Sequence, residues 1–253
     1  MQNLLYRFYE KRIETGLRST DMPKHIGVMV DGNRRWATLQ GFEKAGHGHA
    51  AGAKKIVDFL GWCSDLKIEH VTLYLLSTDN LKGRGTQELD DLIEIICSLA
   101  ETLQQAGRWK LQIVGDIESL PIHAAQRLLT TQQATSNNPG THVNLAVAYG
   151  GRKEISDAIR SIIKKQAASG ASIDDLAESL TPELITEHLY TTGQPDPDLL
   201  IRTSGEQRLS GFLLWQSANS EFYFAEALWP DFRRVDFLRA LRNFQRRHRR
   251  FGA

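Results

Sequence analysis

Cysteine, long apolar runs and an excess of either charge are all scarce in this sequence, and each scarcity removes a class of protein. Only two cysteines, Cys63 and Cys97, occur in 253 residues. Their spacing matches no metal motif, and both lie in apolar helical patterns, so they read as packed thiols. A chain without a disulfide framework suits a reducing cytoplasm. No apolar run approaches the ~18 residues of a membrane span, and no signal-peptide pattern opens the chain. Lysine plus arginine (31) nearly balances aspartate plus glutamate (30), which leaves a net charge of +1. That balance argues against a nucleic-acid partner held by overall charge. There is no GxxxxGK[ST] phosphate loop, which disfavours an ordinary ATPase, and no Gly-x-Ser-x-Gly elbow for acyl transfer.

What remains is an ordinary soluble composition, 41% hydrophobic and 24% charged, on a chain long enough to bury a good core. Short apolar runs predict strands at HIGVMV (25–30), HVTLYLL (70–76), KLQIVG (110–115), HVNLAVA (142–148), DLLIR (198–202) and EFYF (221–224). Helical patterns fall near 48–66, 86–106, 121–136, 152–168, 182–191 and 233–250. Strands alternating with helices of this length predict βαβ crossovers. The fold class is therefore α/β, a six-stranded, mainly parallel sheet flanked by helices in a single domain. An N-terminal amphipathic helix (1–22) with Leu5, Tyr9 and Ile13 on one face precedes the main domain (23–253). Packing on its own protein is the favoured reading of that face over peripheral contact with the inner face of a membrane.

In an open parallel sheet, ligands sit outside the carboxyl ends of the strands. The residues that follow the predicted strands are polar and rich in glycine and arginine. Strand one ends in Asp31-Gly32-Asn33-Arg34-Arg35-Trp36, strand two in Ser77-Thr78-Asp79-Asn80, strand four in Tyr149-Gly150-Gly151-Arg152, and strand five in Arg202-Thr203-Ser204-Gly205-Glu206. Gly32 and Asn33 permit a tight backbone that turns amides toward an anion, and guanidinium forks match phosphate oxygens. Asp31 would repel a phosphate unless Mg²⁺ bridges the two. The same stretch also suits a helix N-cap with solvated arginines. Arg202, Arg208 and Ser210 form a second set able to hold a diphosphate. Glu221 reads either as an edge-strand charge or as a second metal ligand. The apolar face Leu89, Leu92, Ile93, Ile96, Leu99, Ala100 and Leu103 reads as core packing or as one wall of an apolar slot.

Five stretches in order, HIGVMVDGNRRWA, YLLSTDN, VAYGGRKEI, DLLIRTSGEQRLSGFLLWQ and SEFYFAEALWPDF, resemble the cis-prenyltransferases, the undecaprenyl diphosphate synthase family. The resemblance runs from about Pro23 to Gly252. It implies a Mg²⁺-dependent homodimer that condenses isopentenyl diphosphate with an allylic diphosphate, geranyl or farnesyl, to form a Z double bond. It further implies that Asp31 is catalytic and binds the metal. Gly32, Asn33, Arg34 and Arg35 would cradle the allylic diphosphate, with Trp36 flanking the substrate. Arg202, Arg208, Leu209 and Ser210 would take isopentenyl diphosphate, and Glu221 would be a metal ligand shared across the dimer. Ser77, Thr78, Asp79 and Asn80 match a substrate loop, with Asn80 at the position assigned to proton removal.

The sequence departs from the family pattern in three places. The motif histidine is His47 or His49, with His49 preferred for its spacing to Gly52. Lys44 stands where an upstream phosphate-binding arginine is expected. After Asn80, Leu81 and a displaced Arg84 replace the usual tryptophan and arginine. Leu75 is bulky where long-chain members carry a smaller residue, so it is expected to plug the slot and give a short product such as Z,E-farnesyl diphosphate; the alternative is a decaprenyl or undecaprenyl product. Two rivals remain: a non-catalytic scaffold subunit of the same fold, which would lack the metal acid and the arginines, and an RNA binder acting through the arginines of the last helix, Arg239, Arg242, Arg246 and Arg249.

Overall fold

Each short apolar run becomes a strand, and the amphipathic stretches between them become helices. The computed structural model describes residues 2–83 and 85–248. Its first half contains α1 (Gln2–Thr15), β1 (His25–Met29), α2 (Asn33–Leu39), α3 (Ala45–Asp65), β2 (His70–Tyr74), α4 (Thr78–Gly83) and α5 (Thr86–Ala106). Its second half contains β3 (Lys110–Val114), α6 (Ile122–Ala134), β4 (His142–Ala146), α7 (Gly151–Ala168), α8 (Ile173–Ser179), α9 (Pro182–Thr186), β5 (Leu199–Arg202), β6 (Glu221–Phe224) and α10 (Arg234–His248). Strands β2 and β4 end two residues before the predicted limits. The reason at β2 is that the Leu75 and Leu76 amides both turn to the Ala146 carbonyl, at 3.0 and 3.2 Å, and leave the ladder.

The sheet order is β3-β4-β2-β1-β5-β6. All its pairings are parallel, which sharpens the expected mainly parallel sheet to an all-parallel one. Strand β1 is buried from end to end, as an interior strand covered by helices on both faces must be. Alternate residues serve two cores. Ile26, Val28, Leu199 and Ile201 face one that includes Phe59 of α3, Ile96 of α5 and Phe237 of α10. Met29 and Leu200 face a second one with Tyr149 and Phe212. The N-terminal helix packs on the last one: Ile13 is buried against Val235 and Leu238, and Arg234 grips Glu14 with two bonds of 2.8 and 3.1 Å. On α10, Phe237, Leu241 and Phe244 are buried, whereas Arg242 and Arg246 are exposed and Arg239 lies over the Tyr9 ring. Arg249 and Arg84 lie outside the described residues.

Parallel register has a consequence at each end of the sheet. At the start, it aligns His25, His70 and His142 side by side, with ring centroids 5.7 and 5.4 Å apart. His25 is 1% exposed. Its Nδ1 donates to the Pro195 carbonyl at 2.7 Å, and its Nε2 accepts from Thr72 Oγ1 at 2.8 Å, which is the pattern of a neutral ring. Thr72 in turn accepts from Asn144, and Asn144 exchanges bonds with Gln194, so a polar ladder crosses the sheet interior.

Burial, reinforced by the His70 ring, holds His25 down at about 4. Burial likewise brings His142 to about 4. The folded protein therefore resists protons that the unfolded chain accepts near pH 6.5. Stability is fully present above that pH and falls as pH drops toward 4, by on the order of 3 kcal/mol through His25 alone. Urea unfolding followed between pH 7.5 and roughly pH 4.5 is expected to show this loss. His25→Gln, which cannot titrate, should flatten the slope; an unchanged slope would remove the ladder from the explanation.

Candidate active site

At the other end of the sheet the register brings Met29, Tyr74, Ala146 and Arg202 to one edge, and the polar loops follow. Gly32 caps α2 with φ 102°, a left-handed turn, and a Cβ there would come within 2.8 Å of Leu228. This turn swings Asn33, Arg34 and Arg35 to the start of α2. Asn33 packs so closely on α3 that a Cβ at Gly52 would meet its Oδ1 at 2.3 Å. Thr203, the residue after β5, fixes Asp31: its hydroxyl donates to the Asp31 carbonyl at 2.7 Å and accepts the Asp31 amide at 3.0 Å.

Between β1 and β5 the two sets of charges meet. Arg202 Nη2 donates to Asp31 Oδ2 at 2.7 Å, with the Arg202 side chain 6% exposed and that of Asp31 37% exposed. The other terminal guanidinium nitrogen, Nη1, reaches the Arg208 carbonyl and Ser210 Oγ. The remaining arginines are each matched by an acid: Arg34 with Glu88 at 3.3 Å, Arg35 with Glu206 at 4.0 Å, and Arg208 with Glu206 by direct contact. Among the described residues, Asn33 Oδ1 and Arg202 Nε are buried without a hydrogen-bond partner. Unpaired buried polar atoms are costly, and both of these belong to residues that line the cavity at this edge.

A cavity of about 800 Å³ opens here. Its mouth carries Asp31, Arg34, Arg35, His49, Ser77, Asp79, Asn80, Arg202, Arg208 and Ser210, and its depth is walled by Leu75, Leu92, Ile96 and Leu99. The α5 face is thus both core and slot wall. His49 is buried and faces the cavity, whereas His47 stacks on Phe42 at the surface, which favours His49 as the motif histidine. Burial pushes Tyr74 up to about 12, so its hydroxyl stays a donor, reaching the Ser210 carbonyl at 3.4 Å.

Several expected residues are elsewhere. Trp36 turns from the cavity to Asp231, at 2.9 Å, and stacks on Phe42. Lys44 is an exposed cap residue of α3. Thr78 packs at Gly150, Leu81 against the first core and Leu209 against the second. Ser77–Asn80 belong to a capped helix rather than an open loop, because Ser77 Oγ accepts the Asn80 amide at 3.0 Å. Glu221 opens β6 at the opposite end of the sheet from Asp31 and pairs with Arg247 at 3.1 Å, so within one chain it does not join the site. Sequence reading missed Glu88 and Tyr74. Glu88 looks like any first-turn helix acid, and Tyr74 like any strand aromatic.

Comparison with known proteins agrees with this fold. The sequence model of the family described as "Putative undecaprenyl diphosphate synthase" matches residues 29–252. A (2Z,6E)-farnesyl diphosphate synthase of Thermobifida fusca is 54% identical over 248 residues, covering 98% of this chain and 97% of that protein. Isoprenyl transferase 1 of Streptomyces avermitilis is 52% identical over 252 residues, covering 100% of this chain and 97% of that protein. Among solved structures, lavandulyl diphosphate synthase from Lavandula x intermedia, in complex with dimethylallyl diphosphate, superposes with a TM-score of 0.82 at 33% identity. That match covers 89% of this chain and 96% of the other. Shared sequence along the whole length and a shared fold make this chain a prenyltransferase of the undecaprenyl diphosphate synthase family, the cis-prenyltransferases.

Proposed function

We propose that this chain condenses isopentenyl diphosphate with an allylic diphosphate, forming a Z double bond, and stops at a short product, Z,E-farnesyl diphosphate. The observation that carries the reading is the Asp31–Arg202 pair standing between two arginine sets at the mouth of an apolar cavity. Relatives named for (2Z,6E)-farnesyl diphosphate synthesis support the product length. The scaffold rival predicts loss of Asp31, Arg35, Arg202 or Arg208, and all four are present.

Magnesium fits the donor set. Among the described residues there is no cluster of three acidic, histidine or cysteine ligands. The partly exposed Asp31 carboxylate, bonded to Arg202 through one of its oxygens, would hold the ion, as a single carboxylate with substrate and water oxygens commonly does. When bound, it neutralises charge on the departing diphosphate. The chain's own residues do the rest. Arg34 and Arg35, released from Glu88 and Glu206, grip the allylic diphosphate. Arg202, Arg208 and Ser210 hold the isopentenyl diphosphate. Fixing both phosphates fixes the line of attack of the isopentenyl double bond on the allylic carbon. Asn80, at the cavity mouth, orients the group that takes the departing proton, since an amide is itself a weak base.

The apolar cavity shields the hydrocarbon tail and the carbocation-like centre from water. Its side chain at Leu75 narrows the slot close to the reacting end. The same reading includes a homodimer. The open edge strand β6, with Phe222 and Phe224 stacked and only half-buried, is the kind of edge that a partner covers. Glu221 would enter a metal site only through such a partner. Residues 23–253 carry this machinery, with the N-terminal helix packed on α10. Among the described residues no helix is long and apolar enough to cross a membrane.

Incubation of the protein with Mg²⁺, labelled isopentenyl diphosphate and geranyl diphosphate is expected to give a single Z addition, read by chromatography. No product with any allylic primer would overturn the reading. Asp31→Ala should lower turnover by at least ~10²-fold, as removal of a transition-state charge partner does, with circular dichroism checking that the fold survives. Leu75→Ala should lengthen the product by one or more isoprene units. An unchanged product would place the floor of the slot elsewhere along α5.

A further inference from the structure

Behind the Arg208–Ser210 turn lies a carboxylate that the chemistry above does not use. Glu154, in the first turn of α7, is 0% exposed. Its Oε2 accepts the Tyr149 hydroxyl at 2.5 Å, and its Oε1 accepts the Tyr190 amide at 3.0 Å. The Gln216 side-chain nitrogen donates to both oxygens at 3.1 Å and to Thr191 Oγ1 at 3.0 Å. These are all neutral donors, and burial pushes the carboxyl up. A buried acid held this way is costly to keep, and its bonds are correspondingly strong and directional.

Both arms of the network end on one turn. Ser210, Gly211 and Leu213 have φ of 47°, 76° and 44°, so two non-glycine residues lie in the left-handed region. Such strain persists only where the surroundings over-determine it. On one side, Tyr149 meets Phe212 edge-on at 6.2 Å, and its backbone carbonyl takes the Tyr74 hydroxyl that also reaches the Ser210 carbonyl. The Gly151 amide, two residues on, donates to the Gly211 carbonyl at 2.8 Å. On the other side, Gln216 lies three residues past the turn, next to Ser217, whose amide returns to the Leu213 carbonyl at 2.9 Å. Glu154 is the atom group that Tyr149 and Gln216 share.

We infer that Glu154 is a positioning residue for the isopentenyl diphosphate side of the site. Through Tyr149 and Gln216 it holds the strained 210–213 turn, so that Ser210 and Arg208 stand at fixed places beside Arg202. The Arg34–Arg35 side, built on α2, does not depend on it. This inference rests on the function proposed above for what those two sides bind.

Glu154→Gln tests it, because the amide keeps the shape and gives the three donors one oxygen to share where they had two. The KM for isopentenyl diphosphate is expected to rise about tenfold, while that for the allylic primer stays within about twofold. Amide hydrogen exchange should quicken at residues 208–213 and not at residues 33–39. Glu154→Gln with Gln216→Glu, which exchanges the two groups, should recover much of both. Should Glu154→Gln fail to fold, Gln216→Leu cuts one arm and should give the same split. Equal rises in both KM values, or a lower melting temperature with unchanged exchange at 208–213, would overturn the inference. If the wild-type protein turns over no isoprenyl substrate, the function proposed above falls, and the exchange pattern still decides whether Glu154 holds the turn.

Discussion

A guanidinium 6% exposed, facing a carboxylate across two adjacent strands, is the constraint around which this molecule is arranged. Arg202 ends β5 and Asp31 follows β1, and the two strands pair in parallel, so both groups leave the sheet at the same edge. Removing a guanidinium from water is costly unless it is paired and bonded, and here Asp31, Ser210 and the Arg208 carbonyl pair its two terminal nitrogens, while Nε has no hydrogen-bond partner. Those same bonds fix the relative places of three chain segments. The Gly32 turn, the Thr203 clamp on Asp31 and the left-handed residues 210–213 are local adjustments that let the pair form.

The acids opposite the other arginines extend the same logic. Glu88 and Glu206 stand against Arg34, Arg35 and Arg208, so a cationic mouth is held in shape without phosphate present. These contacts are more exposed than the Asp31–Arg202 pair and weaker for it. On the proposed function, a diphosphate, with more charge and more acceptor oxygens than a carboxylate, would displace them at modest cost. The cavity behind the mouth is apolar because its wall is the inner face of α5, which cannot be polar without disturbing the core it also completes.

Much of this was legible in the sequence, for identifiable reasons. Buried parallel strands read as apolar runs, so all six were found, and the rule that ligands gather at strand carboxyl ends picked out Asp31, Arg202 and Arg208. The meeting of Asp31 with Arg202 across 171 residues was not legible as a contact, because strand order depends on crossovers rather than on spacing. The Trp36 indole N–H needs an acceptor, and Asp231, far along the chain, supplies one that spacing does not reveal. Leu81 and Thr78 were read as loop contacts, whereas the Ser77 cap winds that segment into a helix and turns them inward. The histidine row at the opposite edge was invisible as a group: His25, His70 and His142 each look like an ordinary first residue of a strand, and register alone assembles them.

The packing of α1 on α10 bears on how the molecule is made. Ile13 finds its partners Val235 and Leu238 only when nearly the whole chain exists, and β1 lacks its neighbour β5 until residue 199 has been added. During synthesis, β1 to β4 and the helices between them can assemble early, but the charged mouth and the N-terminal helix must wait. Contacts of such long sequence separation are slow to form because the intervening chain has to be closed first. The nascent protein therefore acquires its charged mouth only after β5 and the residues up to Trp229 have been added, and the N-terminal helix finds its cover later still; a chain truncated before α10 would leave Ile13 with nothing to cover it.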